Sequence, residues 1–219
     1  MRTQIILAAL PFLITACSTY YYMPTASNVP LFKKEKEVQI KGGVDEVASN
    51  AQIGYAVNKH IGLIANGVWN KNEYGLDHYL IECGGGYYSR FLKYGLFELF
   101  AGYGQGEIHI GQPDYERKIN RLFFQPSIGF SSDFFDAAIT PKFSSVQFYK
   151  QHTDVYYIDE PINDIRYLFF EPCVTLRAGY KWVKLQLQYS TTDMKYGIDF
   201  PYVNSNFSLM VLLTVPLAK

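Results

Sequence analysis

The chain has 219 residues, 20 Lys and Arg against 20 Asp and Glu, a pI near 6.9 and a mean hydropathy of −0.06. Charge so evenly balanced argues against a nucleic-acid partner and against general attraction to an anionic surface. The length suffices for one domain, and no run beyond residue 17 holds the roughly 20 apolar residues that a spanning helix requires.

Residues 5–16 form an apolar run behind Arg2, interrupted by Pro11 and ending in Ile14-Thr15-Ala16-Cys17. The run is too short to span a membrane and has the order of a signal peptide, basic start, apolar middle and small-residue end. Its last four residues resemble the lipobox of bacterial lipoprotein signals. The resemblance implies cleavage before Cys17 and lipidation of that cysteine. With Ser18 next and no acidic residue through Tyr22, it also implies sorting to the outer membrane with the lipid in the periplasm-facing leaflet. Residues 17–35 are polar and contain Pro24 and Pro30, the composition of a periplasmic tether. We therefore divide the chain into a signal peptide (1–16), lipidated cysteine and tether (17–35) and a β-domain (36–219).

That domain breaks into ten segments of period-two alternation, expected as strands at about 36–44, 50–58, 60–69, 78–91, 94–106, 118–131, 134–149, 164–180, 181–190 and 204–216. Phe207, Leu209, Val211, Leu213 and Val215, for example, share one face. Every second connection is short: Asn58-Lys59, Leu92-Lys93, Ser132-Asp133 and Tyr180-Lys181. The others, near 70–77, 106–117, 151–163 and 191–204, are long and polar. Short turns on one rim and long loops on the other mark an outer-membrane barrel. The expected fold is an antiparallel up-and-down transmembrane β-barrel of about ten strands, with eight as the alternative. An even count puts both ends of the domain on the short-turn, periplasmic rim, the side from which a tethered chain would enter.

Taking the apolar parity as lipid-facing, the other parity collects Lys41, Gln52, Asn66, Glu82, Glu98, Arg121, Gln125, Asp136, Lys142, Glu171, Thr175, Arg177, Lys184, Gln186 and Gln188. Five cations and four carboxylates suit a mutually paired polar core, since buried charges need partners. The expected lumen network is Glu82, Glu98, Arg121, Lys142, Glu171, Arg177 and Lys184, with Lys142 and Glu171 paired. About ten strands make a narrow barrel without a large conduit. Cys83 falls on the outward parity and Cys173 on the inward one, against a disulfide. Tyr55, Trp69, Tyr79, Tyr103, Phe130, Phe148, Tyr180, Trp182 and Tyr189 are candidates for interfacial girdles. Leu122-Phe123-Phe124-Gln125-Pro126 recurs as Leu168-Phe169-Phe170-Glu171-Pro172, consistent with a duplicated hairpin. Its prolines predict bulges, and Gly84-Gly85-Gly86 predicts bent backbone covered by an aromatic such as Tyr87 or Tyr88.

Little points to chemistry. Barrel-embedded lipid A deacylases place a His and a Ser two apart on one strand. Here the residues two beyond His60, His78, His109 and His152 are Gly62, Leu80, Gly111 and Asp154. Glu107, His109, Asp114 and Glu116 match no metal motif and read better as a solvated loop. The chain resembles small outer-membrane β-barrel lipoproteins of Gram-negative bacteria, through Cys17, the stretch Tyr20-Tyr21-Tyr22-Met23-Pro24 with Asn28-Val29-Pro30-Leu31-Phe32, and the barrel patterning. The resemblance implies no catalytic residues, metal or cofactor. Its end, Val215-Pro216-Leu217-Ala218-Lys219, departs from the aromatic last residue common in barrels. The expectation is a non-enzymatic barrel with a structural or surface-interaction role through its outer loops. Its expected partners are outer-membrane lipid, the barrel-assembly and lipoprotein-sorting machinery and a possible extracellular protein. The alternative is a lipid-anchored soluble calycin-like barrel that binds an apolar ligand.

Overall fold

The computed structural model describes residue 22 and residues 24–46, 48–70, 76–110, 116–152, 165–197 and 202–216. Residues 1–21, with the expected signal peptide and Cys17, and the middles of the long connections lie outside them. Among the described residues there are eleven β-strands: β1 (Glu37–Asp45), β2 (Ser49–Ala56), β3 (Ile61–Asn70), β4 (Leu76–Phe91), β5 (Gly95–Ile110), β6 (Glu116–Ser131), β7 (Phe135–His152), β8 (Arg166–Tyr180), β9 (Val183–Thr191), β10 (Asp193–Tyr196) and β11 (Ser205–Pro216). Each of β1 to β8 pairs antiparallel with the next, β9 also pairs with β11, and β11 returns to β1. Ser190 stands opposite Cys173 and Asp193 opposite Phe170, so β10 continues β9 along β8 in one register. The interruption falls opposite Pro172, which has no N–H to give. Ten staves therefore close a barrel, the expected fold.

Alternation places each strand's two parities in opposite environments, and the burial is that of a soluble barrel turned inside out. Every stave presents large exposed apolar side chains, among them Ile40, Ile53, Leu63, Ile81, Phe97, Phe124, Ile139, Val174, Leu185 and Val211. All fifteen residues of the polar parity named above are buried. A soluble calycin-like barrel needs the reverse, because an exposed apolar band around the whole circumference has no counterpart in a water-soluble monomer. The soluble alternative is set aside on this ground, and the molecule is an outer-membrane-type β-barrel.

The short turns at 57–60, 92–94, 132–134 and 181–182 share one rim, to which β1 and β11 also come, with Glu37 opposite Pro216. The other rim carries the four long connections and one tight turn, closed by Asp45, whose Oδ1 accepts the Ala48 N–H at 2.6 Å. Aromatics exposed near the short-turn rim include Tyr87, Phe91, Tyr94, Phe130, Phe134, Tyr180 and Trp182, and Trp69, Tyr79 and Tyr103 lie toward the other. Phe148 does not belong to a girdle: it is fully buried among Tyr167 and Phe169 inside the barrel. The wall is uneven in height. Strands β4 to β7 run 16 to 18 residues against 8 to 10 for β1 to β3. Beyond Tyr103 the tall side carries outward polar groups, with Tyr103, Gln105 and Asn120 hydrogen-bonded together and Lys118 paired with Glu107 at 3.1 Å.

Two local expectations need correction. The prolines make no bulges. Pro141 stands opposite Pro172, and the register of β6 with β7 is the same on either side of Pro126. Three adjacent staves thus lose ladder bonds at one height without inserting a residue. Gly84 and Gly86 likewise sit in unbroken register, and the aromatics that cover them are Phe123 and Phe100 from inside the lumen.

Candidate functional site in the filled lumen

The polar stretch expected as a tether lies inside the barrel. Residues 24–32 are all buried, and they cross the lumen from one rim to the other. At the long-connection rim, the Tyr22 carbonyl accepts the Val203 N–H at 3.1 Å and Tyr22 bridges Tyr202 in the connection before β11. At the short-turn rim, Lys33 Nζ donates to the Ser132 carbonyl at 2.5 Å and Arg90 donates to the Lys33 carbonyl at 2.9 Å. The chain then turns through Lys36, in the left-handed region at φ 60°, into β1. The strand domain does begin at the short-turn rim, but the residues ahead of it arrive through the lumen from the opposite side. We call residues 22–33 the strap.

A segment without strand or helix must satisfy its carbonyls elsewhere, and here the wall supplies the donors. Asn206 donates to Pro24 O at 3.3 Å, Gln52 to Ala26 O at 2.8 Å, Gln188 to Ser27 O at 3.0 Å and Gln125 to Asn28 O at 2.8 Å. Arg177 donates to the carbonyls of Val29 and Pro30. In return Asn28 Nδ2 reaches the carbonyls of Ile53 and Ala65 on the wall, and its Oδ1 accepts from Lys41 Nζ at 2.6 Å. Apolar strap residues fill sockets. Phe32 packs with Ala56, Ile64, Tyr88 and Phe100, and it fits because Gly54 and Gly62 lack side chains. A Cβ on Gly62 would lie 2.7 Å from the Phe32 ring, and one on Gly54 3.1 Å from it. Burying such a ring contributes on the order of 1.5–3 kcal/mol. Leu31 holds a left-handed φ of 56°, unfavourable for a branched side chain, while packed with Val29, Leu96 and Ala138.

The charged groups of the polar parity fall into two clusters, with Lys41, which donates to Asn28, and Glu98 outside both. Toward the long-connection rim, Arg121 lies between Glu82 at 3.3 Å and Glu171 at 3.0 Å, with Lys142 3.8 Å from Glu82. Two strap side chains enter this quartet. Thr25 Oγ1 donates to Glu82 at 3.2 Å and accepts from Arg121 and Lys142 at 3.1 and 3.3 Å. Tyr22 OH donates to Glu171 at 2.7 Å, its ring stacked on Phe169 with centroids 4.3 Å apart. Toward the short-turn rim, Asp136 takes Lys184 at 2.6 Å and Arg177 at 3.9 Å. Glu98 stands apart and accepts the Phe32 backbone N–H at 3.2 Å.

Of the seven expected network residues, then, Glu82, Arg121, Lys142 and Glu171 come together, Arg177 and Lys184 meet on Asp136, and Glu98 binds the strap. The expected pair of Lys142 with Glu171 is corrected. The two are opposite in register, but Lys142 turns to Glu82 and Thr25. Glu171 is taken instead by Arg121, Ser144 and Tyr22. Arg121 on β6 reaches past its neighbouring staves to Glu82 on β4 and Glu171 on β8, which adjacent-strand reasoning does not cover. The strap residues Tyr22, Thr25, Asn28 and Phe32 were missed altogether. Their one signal is Val29, Leu31 and Phe32, apolar side chains that a solvated tether has no use for. Cys83 is exposed and Cys173 buried, both free.

No protein-family model matches the chain, and no curated protein does. Similar solved structures include the translocator domain of the autotransporter NalP from Neisseria meningitidis, 12% identical, TM-score 0.47, covering 81% of this chain and 85% of that one. The outer-membrane enzyme PagL is 9% identical, TM-score 0.37, covering 83% and 99%. LpxR from Salmonella typhimurium is 8% identical, TM-score 0.37, covering 81% and 99%. The likeness is one of fold. The expectation of a non-enzymatic barrel is withdrawn: PagL, among the structures the chain is similar to, is an outer-membrane enzyme. At these identities no activity carries over.

Proposed function

We propose that the protein is an outer-membrane lipoprotein barrel, closed internally by its own N-terminal strap, that acts at the cell surface through its long-connection rim. The observation that carries this reading is the strap, buried at Tyr22 and from Pro24 to Phe32 and fastened at both rims. A lumen so occupied supplies no wide aqueous path, and about ten staves leave little room for one. What stays available to a partner is the long-connection rim and the polar top of the tall wall, with Gln105, Glu107, Lys118 and Asn120. Connections displayed on a rigid frame are the usual place for recognition. The sequence Ile14-Thr15-Ala16-Cys17 supports the lipid.

Reconstitution into planar bilayers tests the closed lumen: the expected trace holds no steady conductance of porin size, and a stable open level of that size contradicts the reading. Protease added to intact cells is expected to cut within 111–115 or 153–164. Radiolabelled palmitate is expected to enter the chain and to be lost with Cys17→Ala, and labelling that survives this change removes the lipid from the proposal.

A further inference from the structure

The strap has a direction, and it points the other way from the expected anchor. We propose that the chain ahead of Tyr22 emerges on the outer face of the membrane, so that acyl chains on Cys17 sit in the outer leaflet beside the long connections. The barrel thereby carries its own N-terminus across the membrane it spans. This rests on the reading of Cys17 as the lipidated residue and of the short-turn rim as periplasmic.

The geometry leaves little freedom. Lys33 is held at the short-turn rim by Ser132 and Arg90, and Tyr22 at the opposite rim by Val203, Glu171 and Phe169. Cys17 is the fifth residue back from Tyr22, a reach of at most about 18 Å. An outer-membrane barrel's apolar band is about 25 Å tall, so five residues starting at the far rim do not return to the periplasmic leaflet. Among the described residues the strap is packed closely at both ends of the lumen: Phe32 fills the space over Gly54 and Gly62, and Tyr22 packs with Ile108, Ile119, Phe148 and Tyr167. Lipid delivered from the periplasm must then cross as the staves close around the strap, or before.

Accessibility of single cysteines to a membrane-impermeant maleimide tests this, in a full-length chain carrying Cys83→Ser and Cys173→Ser. Three positions are compared: Thr19→Cys in the emerging segment, Glu46→Cys in the tight turn of the long-connection rim, and Lys93→Cys in a short turn. Glu46 and Lys93 are exposed turn residues and Thr19 precedes the strap, so each variant is expected to fold. The expected result is that positions 19 and 46 label on intact cells, whereas position 93 labels only after the outer membrane is permeabilised. Labelling of position 19 only after permeabilisation, together with position 93, overturns the proposal. So does failure of position 19 to label while 46 does. Position 93 labelling on intact cells in place of 46 instead shows the rim assignment to be reversed. Palmitate incorporation, measured separately, tells failure of the lipid reading from failure of the topology.

Discussion

The two ends of the strap are held by different chemistry. Toward the long-connection rim it is fastened by side chains, Tyr22 on Glu171 and Thr25 among Glu82, Arg121 and Lys142. From Pro24 to Pro30 the wall reads mainly backbone carbonyls through Asn206, Gln52, Gln188, Gln125 and Arg177. Side-chain fastening depends on strap sequence and on charge balance. Carbonyl fastening depends only on the path of the chain, and it spreads the load over donors from five strands. The upper end should therefore be brittle and the lower end tolerant, apart from the Phe32 socket.

The largest effect should follow Arg121→Met. It leaves Glu82 and Glu171 buried with only Lys142 as a cation, and breaking such a buried arrangement costs about 3–5 kcal/mol. Unfolding in detergent, read by heat-modified migration, should show a clear loss, whereas Lys184→Met should do less, since Asp136 keeps Arg177 and Ser131. Equal losses would erase the contrast between the ends. Phe32→Ala should cost about 3–5 kcal/mol and Gly62→Val about 1–3 kcal/mol by overpacking. Combined, they should cost less than their sum, because the small side chain vacates the space that Val needs. Strict additivity would place Phe32 elsewhere. Tyr22→Phe should cost about 1.5–3 kcal/mol, the worth of one hydrogen bond to a charged group. Gln188→Leu, which removes the amide that donates to the Ser27 carbonyl and to Thr175 Oγ1, both neutral acceptors, should cost about 1–2 kcal/mol. A Gln188 effect exceeding that of Tyr22 would reverse the proposed order.

The barrel was legible because period-two alternation records two unlike environments directly. Phe207 to Val215 on β11 and Val183 to Tyr189 on β9 need no distant information to be placed. The polar parity was legible for the same reason. The strap was not, because its residues follow no period and its prolines and polar groups match those of a solvated linker. What turns Pro24 to Lys33 into interior packing is a set of donors on β2, β6, β8, β9 and β11, together with two glycines that leave room for Phe32. None of these is a neighbour in sequence. The Lys142 error has a similar origin: register located its partner across the sheet, while Arg121 won Glu171 by its longer reach. Pro126 and Pro172 suggested bulges one at a time, but with Pro141 at the same height on the stave between them they interrupt the ladder together and the register survives.

The central claim, that residues 22–33 occupy the lumen, can be tested by one covalent bond. Gln188 donates both to the Ser27 carbonyl and to Thr175 Oγ1, and Thr175 Oγ1 is 3.8 Å from the Cys173 thiol, which brings Ser27 close to Cys173 inside the barrel. In Ser27→Cys, mild oxidation should join position 27 to Cys173, giving a faster-migrating denatured chain on non-reducing gels that is lost with Cys173→Ser. If both thiols instead stay free under oxidation in the folded protein and react fully once it is unfolded, the strap does not lie where we place it.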